Sequence, residues 1–202
     1  MINTIIFDFG DVFINLDKTA TARALKKLGI PAFTQKMQDR NDAYEKGQLS
    51  TEEFISTYLE DFPEVTREEF ISCWNAVLKD FPQHRLDFLN DLCQQNKYRL
   101  ILLSNTNELH IDWVKKNVPF FEDFYGCFEK FFLSQEINRR KPETSIFRYI
   151  IDSLEVKPEE TLFIDDTRAN TEAASKLGFH TWNINPVSED VADLFVHQKN
   201  IL

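Results

Sequence analysis

The chain has 202 residues, 43% hydrophobic and 28% charged, which are the proportions of a globular protein and not of a disordered one. Its net charge of −10 argues against a general nucleic-acid binder, which needs Lys and Arg to offset phosphate, and disfavours an anionic membrane surface as partner. An acidic chain binds a phosphate only through local cations, a metal ion among them.

Cys73, Cys93 and Cys127 are widely spaced and form no CxxC pair. Free thiols in a reducing cytoplasm are therefore expected, and neither a disulfide framework nor a zinc site. Met1–Phe7 has no basic leader and meets Asp8 at once, so it is not read as a signal peptide. No apolar run approaches the ~18 residues of a membrane span.

The first apolar run, Thr4–Phe7, reads as a buried strand that ends at Asp8-Phe9-Gly10-Asp11. The stretch 17–82 then reads as helical throughout. Lys18–Leu28 is closed by Gly29 and Pro31, and Ser50-Thr51-Glu52-Glu53 and Thr66-Arg67-Glu68-Glu69 both have capping-box form. Further strand-like runs follow at Arg99–Leu103, Phe128–Leu133, Thr161–Ile164 and His180–Ile184. Helical patterns lie between the later runs, at Ile146–Leu154 and at Ala169–Leu177, which Gly178 stops. Alternating strands and helices imply a doubly wound α/β fold with a parallel sheet, here built from 1–16 and 83–202. The helical stretch 17–82 reads as a small inserted cap.

Each informative polar cluster follows a predicted strand: Asp8 to Asp11, Ser104 with Asn105, Lys141, and Asp165 with Asp166. Ligands bind at that edge of an open parallel sheet. Taken singly, these residues are ordinary turn formers, helix caps and a loop lysine. Taken together, they supply carboxylates, a hydroxyl, an amide and one cation. That set holds Mg²⁺ and a phosphoryl group beside a carboxylate nucleophile.

These residues resemble the haloacid dehalogenase superfamily. Ile5-Ile6-Phe7-Asp8-Phe9-Gly10-Asp11-Val12 looks like its first motif and Leu102-Leu103-Ser104-Asn105 its second. Lys141-Pro142-Glu143 with Ile146-Phe147 resembles the third, and Phe163-Ile164-Asp165-Asp166 with Asn170 the fourth. The helical insertion sits where the type-one cap is found. Leu103-Ser104-Asn105-Thr106-Asn107, Arg140-Lys141-Pro142-Glu143 and Tyr44-Glu45-Lys46-Gly47-Gln48-Leu49-Ser50 are similar to a bacterial sugar-phosphatase branch that acts on α-D-glucose 1-phosphate.

The resemblance implies a phosphatase for a small phosphorylated metabolite, with an aspartyl-phosphate intermediate. Asp8 is then the nucleophile and a ligand to Mg²⁺ or Mn²⁺, together with the Gly10 carbonyl and Asp166. Asp165 is a further ligand or a partner behind the ligands. Ser104 and Asn105 bind phosphoryl oxygens, Lys141 bridges the phosphoryl group and Asp8, and Asn170 steadies the acidic loop. One position departs from the pattern: superfamily phosphatases usually carry a general-acid Asp where this chain has Gly10, and Asp11 is the nearest substitute. The competing readings are a dehalogenase, a phosphomutase, a phospho-receiver module and a catalytically weak phosphometabolite sensor. The dehalogenase leaves Asp165-Asp166 without a purpose, and the mutase lacks its proton shuttle at Gly10. A receiver carries no helical cap.

Overall fold

The computed structural model describes residues 1–31 and 33–202. Five strands, β1 (Thr4–Phe7), β2 (Arg99–Ser104), β3 (Lys130–Leu133), β4 (Thr161–Asp165) and β5 (His180–Asn183), form one sheet in the order β3-β2-β1-β4-β5. Every pairing is parallel. The strands are apolar on both faces because both faces are covered. Ile5, Phe7, Leu100, Leu102, Leu162 and Ile164 enter one core, while Ile6, Ile101, Leu103 and Phe163 enter the other.

The abundance of phenylalanine is explained on the first face. Phe13 packs on Phe124 at 5.1 Å between ring centroids, Phe9 on Phe124 at 5.3 Å, and Phe81 on Phe124 at 5.0 Å. Tilted and edge-on rings at such spacings are favourable beyond the area they bury.

Between β1 and β2 run α1 (Ala20–Lys27), α2 (Gln35–Glu45), α3 (Thr51–Asp61) and α4 (Arg67–Trp74). Ser50 and Thr66 are N-caps of α3 and α4 with complete capping boxes. These helices bury a core of their own, in which Tyr44 stacks on Phe54 at 4.1 Å and Tyr58 packs on Phe70 at 4.7 Å. The chain leaves the sheet layer and returns to it side by side: Asn15 N–H donates to Asp80 O at 2.9 Å and Asp17 N–H to Val77 O at 2.8 Å.

The remaining helices are α5 (Gln83–Gln94), α6 (Glu108–Asn117), α7 (Phe121–Gly126), α8 (Ser134–Ile137), α9 (Thr144–Leu154), α10 (Arg168–Ser175) and α11 (Leu194–His197). On α9, Ile146, Phe147, Ile150 and Leu154 form one buried stripe against the second core. Among the described residues no helix is long and apolar enough to cross a membrane.

Several element boundaries differ from the sequence reading by a residue or two. The third strand starts at Lys130, because Phe128 N–H closes the turn after α7 on Tyr125 O at 3.2 Å. The first helix starts at Ala20, because Asp17 accepts from the Thr19 N–H and hydroxyl and holds the preceding residues in a turn. The helix after β4 spans Arg168–Ser175 and not Ala169–Leu177.

Candidate active site

Order β3-β2-β1-β4-β5 places its switch point between β1 and β4, where the chain changes from building one side of the sheet to the other. Phe7 is in register with Ile164, so the next residues, Asp8 and Asp165, stand side by side at the carboxyl edge. Carboxylate oxygens of Asp8, Asp165 and Asp166 lie within 4.8 Å of one another.

Lys141 enters this acidic cluster from the loop between α8 and α9. Its side chain is fully buried, and Nζ donates to Asp165 Oδ2 at 2.7 Å and Leu103 O at 2.7 Å and lies 2.8 Å from Asp8 Oδ1. All three ammonium hydrogens therefore have acceptors, the condition under which a buried charge is tolerated. Burial pulls the ammonium down, but Asp165 and Asp8 outweigh it and hold the Lys141 pKa above its ordinary value. Burial pushes Asp8 up to about 7; Lys141 opposes this, and the neighbouring Asp165 adds to it.

Asp165 is saturated. Besides Lys141 it accepts from Thr167 N–H at 2.8 Å and from the Asn170 amide at 3.0 Å on each oxygen. Asn170 projects from the first turn of α10, so the helix start orients the acidic loop. Asp166 differs: its Oδ2 is ion-paired to Lys18, which also lies 3.0 Å from Asp11 Oδ2. Lys18 is exposed and sits on the strap entering the helical layer. Nothing in the sequence singles it out, because a lysine before a helix is ordinary. Only folding brings it across to a residue 148 positions away.

Asp11 adopts φ 55°, accepts the Leu16 N–H at 2.9 Å and faces Lys18. Its carboxylate thus shapes the loop after β1. At Gly10 a Cβ would sit 2.7 Å from Leu16 Cδ1, so the Leu16 side chain fills the space that a longer residue would need. The Gly10 carbonyl accepts no hydrogen bond among the described residues.

Ser104 and Asn105 stand at the end of β2. The Asn105 side chain is committed at both ends, its amide donating to Lys141 O at 2.8 Å and its oxygen accepting from Lys141 N–H at 2.9 Å. Its side chain therefore seats the lysine loop instead of reaching freely for a phosphoryl group. Beside these residues a cavity of about 180 Å³ opens between the sheet edge and the helical layer.

The helical layer is seated on the same loops. Gly47 has φ +64°, and a Cβ there would lie 2.0 Å from Gln135 O. Asn138 donates to Lys46 O at 2.8 Å. Trp74 donates to Asn107 Oδ1 at 3.3 Å, and His110 stacks on Trp74 at 5.7 Å. Burial holds the His110 pKa down to about 4, so its ring is neutral at pH 7.

A family model for haloacid dehalogenase-like hydrolases matches residues 2–178. A D-ribitol-5-phosphate phosphatase of Bacteroides thetaiotaomicron is 31% identical over 193 residues, covering 90% of this chain and 91% of that protein. A solved magnesium complex of a haloacid dehalogenase family enzyme from the same organism is 34% identical, with a TM-score of 0.87 and coverage of 96% and 98%. A second structure of that enzyme, with magnesium and inorganic phosphate, is 34% identical with a TM-score of 0.82, covering 96% of this chain and all of that one. With its family model, its fold and its sheet-edge cluster in agreement, the chain belongs to the haloacid dehalogenase-like hydrolase family.

Proposed function

We propose that the protein is a Mg²⁺-dependent phosphatase for a small sugar or sugar-alcohol phosphate, acting through an aspartyl-phosphate on Asp8. The observation that carries this reading is the Lys141 bridge between Asp8 and Asp165 inside a cluster of three carboxylates. The donor set is oxygen only, which suits Mg²⁺ or Mn²⁺. Asp165 is already saturated, so Asp8, the free Gly10 carbonyl and Asp166 are the ligands this reading assigns. Mg²⁺ there would supply positive charge that favours ionised Asp8 and offsets charge on the phosphoryl oxygens.

Asp8 Oδ attacks phosphorus as the phosphorus–oxygen bond to the sugar breaks, the sugar oxygen taking its proton from water; a second water then attacks phosphorus, breaking the bond to Asp8 and releasing inorganic phosphate. Lys141 orients the nucleophile and favours its anionic form against the effect of burial. Ser104 offers a hydroxyl to the phosphoryl group, and Asn105 holds the lysine loop in place. The similarity to a ribitol-phosphate phosphatase, and to an enzyme crystallised with magnesium and phosphate, supports this class. Glucose 1-phosphate belongs to it and has a comparatively good leaving group, which suits a site with Gly10 in place of an acid.

Gly10 also favours a second reading, a catalytically silent binder of phosphorylated metabolites. Turnover decides between them. p-Nitrophenyl phosphate, glucose 1-phosphate and ribitol 5-phosphate are assayed with Mg²⁺ and with EDTA. Turnover that EDTA abolishes and Mg²⁺ restores is expected, and Asp8→Asn should lower it by roughly 10³-fold or more. Full activity in EDTA, or Asp8→Asn within about tenfold of wild type, would refute the mechanism.

A further inference from the structure

The cavity beside Ser104 and Asn105 has one carboxylate in its wall, Glu45, which arrives from the last turn of α2. The rest of that wall is chiefly apolar, with Leu16, Val77 and Leu78 among its residues. Glu45 Oε2 lies 2.9 Å from Arg140 Nη2 but accepts no aligned hydrogen bond. Arg140 is in turn held by Asp42 at 2.5 Å, and its buried Nε has no acceptor among the described residues. Glu45 Oε1 takes no protein donor among the described residues and is not among the buried atoms, while the side chain keeps 26% of its area exposed. Arg140 directly precedes Lys141, so this pair ties the helical layer to the loop that carries the buried lysine.

Ser104, Asn105, Thr106 and His110 are the other polar residues of that wall, and Glu45 is the carboxylate beside them, its Oε1 open to accept a hydrogen bond from a ligand hydroxyl in place of water. A volume of about 180 Å³ beside the end of β2 has room for a short carbon chain. Few polar groups in an apolar pocket are what fix a ligand's orientation. Resting on the phosphatase reading above, we infer that Glu45 is a specificity-determining residue: it accepts a hydrogen bond from a hydroxyl of the leaving group, so the enzyme selects polyhydroxylated phosphate esters over deoxygenated ones of the same length. Arg140 is its positioning residue, fixing the carboxylate from behind.

The test crosses substrate with protein. Ribitol 5-phosphate and n-pentyl phosphate have the same chain length and are both primary alkyl esters, so neither proton transfer nor leaving-group strength separates them strongly. Wild type should prefer ribitol 5-phosphate by at least tenfold in kcat/KM, because a site built for a hydroxyl penalises its loss. Glu45→Ala should reduce that preference about tenfold, mainly through KM for the ribitol ester. Glu45→Gln, which keeps the volume and an acceptor, should retain more of the preference than Glu45→Ala. Asp42→Ala, which removes the other partner of Arg140, should alter both esters to a similar extent.

Parallel losses on both esters in Glu45→Ala would overturn the inference and leave Glu45 as a docking contact. Equal loss in Glu45→Gln and Glu45→Ala, growing with leaving-group basicity over an aryl-to-alkyl series, would overturn it in favour of proton donation. Mg²⁺-dependent hydrolysis with no preference in wild type would refute the inference alone. No Mg²⁺-dependent hydrolysis of any ester would refute the phosphatase reading and this inference with it.

Discussion

At the scale of single residues, Lys141 does the most to make the site. Two carboxylates at the end of a buried sheet repel each other, and one ammonium with three acceptors holds them together. Lys141→Met keeps much of the volume and removes the charge. Removing one partner of a buried ion pair typically costs about 3–5 kcal/mol. Urea unfolding at pH 7 should show a loss of that order, together with loss of turnover. Gly10 is the converse case. It does not adopt a positive φ, so Asp is not excluded by backbone strain, and Leu16 is the obstacle. Gly10→Asp alone should cost about 1–3 kcal/mol by overpacking. Combined with Leu16→Ala it should raise turnover of primary alkyl phosphates relative to p-nitrophenyl phosphate, because a positioned acid helps most when the leaving oxygen is basic. An unchanged ratio in the double variant would show that Asp at this position does not reach the leaving oxygen.

At the scale of elements, the turn after α2 decides how the helical layer sits. Gly47 is needed there for two reasons, a left-handed φ and a main-chain oxygen of Gln135 where a Cβ would stand. The blocking atom is backbone and cannot rotate away. Gly47→Ala should therefore destabilise the fold by more than the ~1 kcal/mol that left-handed backbone alone costs a non-glycine residue. It should also lower kcat/KM, because Lys46 and Arg140 are displaced together. A midpoint of urea unfolding within experimental error of wild type would contradict this. The capping boxes at Ser50 and Thr66 were legible as sequence because they are local, with caps and partners three residues apart. The helix Gln35–Glu45 carries a weaker signal: its N-cap Thr34 accepts the Met37 N–H at 3.3 Å, but Met37 stands where a capping box has Glu or Gln, and only Met37 and Tyr44 on the helix are buried, so it has no apolar stripe to read.

At the scale of the whole molecule, stability depends on keeping the helical layer against the sheet edge, and His110 lies in that seam. It stacks on Trp74, contacts the Asn107 side chain at 3.1 Å and reaches Trp74 O at 3.3 Å. Its folded pKa is about 4 against an ordinary 6.5. Between those values the unfolded chain holds the extra proton, so this stabilisation is full above pH 6.5 and falls as pH drops towards 4. Asp8, raised to about 7, works in the opposite direction over part of that range, since the folded state then holds the extra proton. The two are separated by comparison. Urea midpoints at pH 7 and pH 5 should move less favourably on acidification in wild type than in His110→Asn, and identical shifts would remove His110 as the cause.

The doubly wound sheet and the four sheet-edge clusters were readable from the chain alone because strands buried on both faces must be continuously apolar, and the polar residues that interrupt them mark the strand ends. Family motifs made the carboxylates, the lysine and Asn170 recognisable together. What the chain alone left open are relations between distant segments. Lys18 meets Asp166 across 148 positions, Asn105 spends its side chain on the Lys141 backbone, Leu16 fills the space beside Gly10, and Glu45 comes to the wall of the cavity. None of these leaves a periodic or spaced trace in sequence. They exist only once the helical layer closes on the carboxyl edge of the sheet, where packing and charge pairing between remote loops decide which atoms meet.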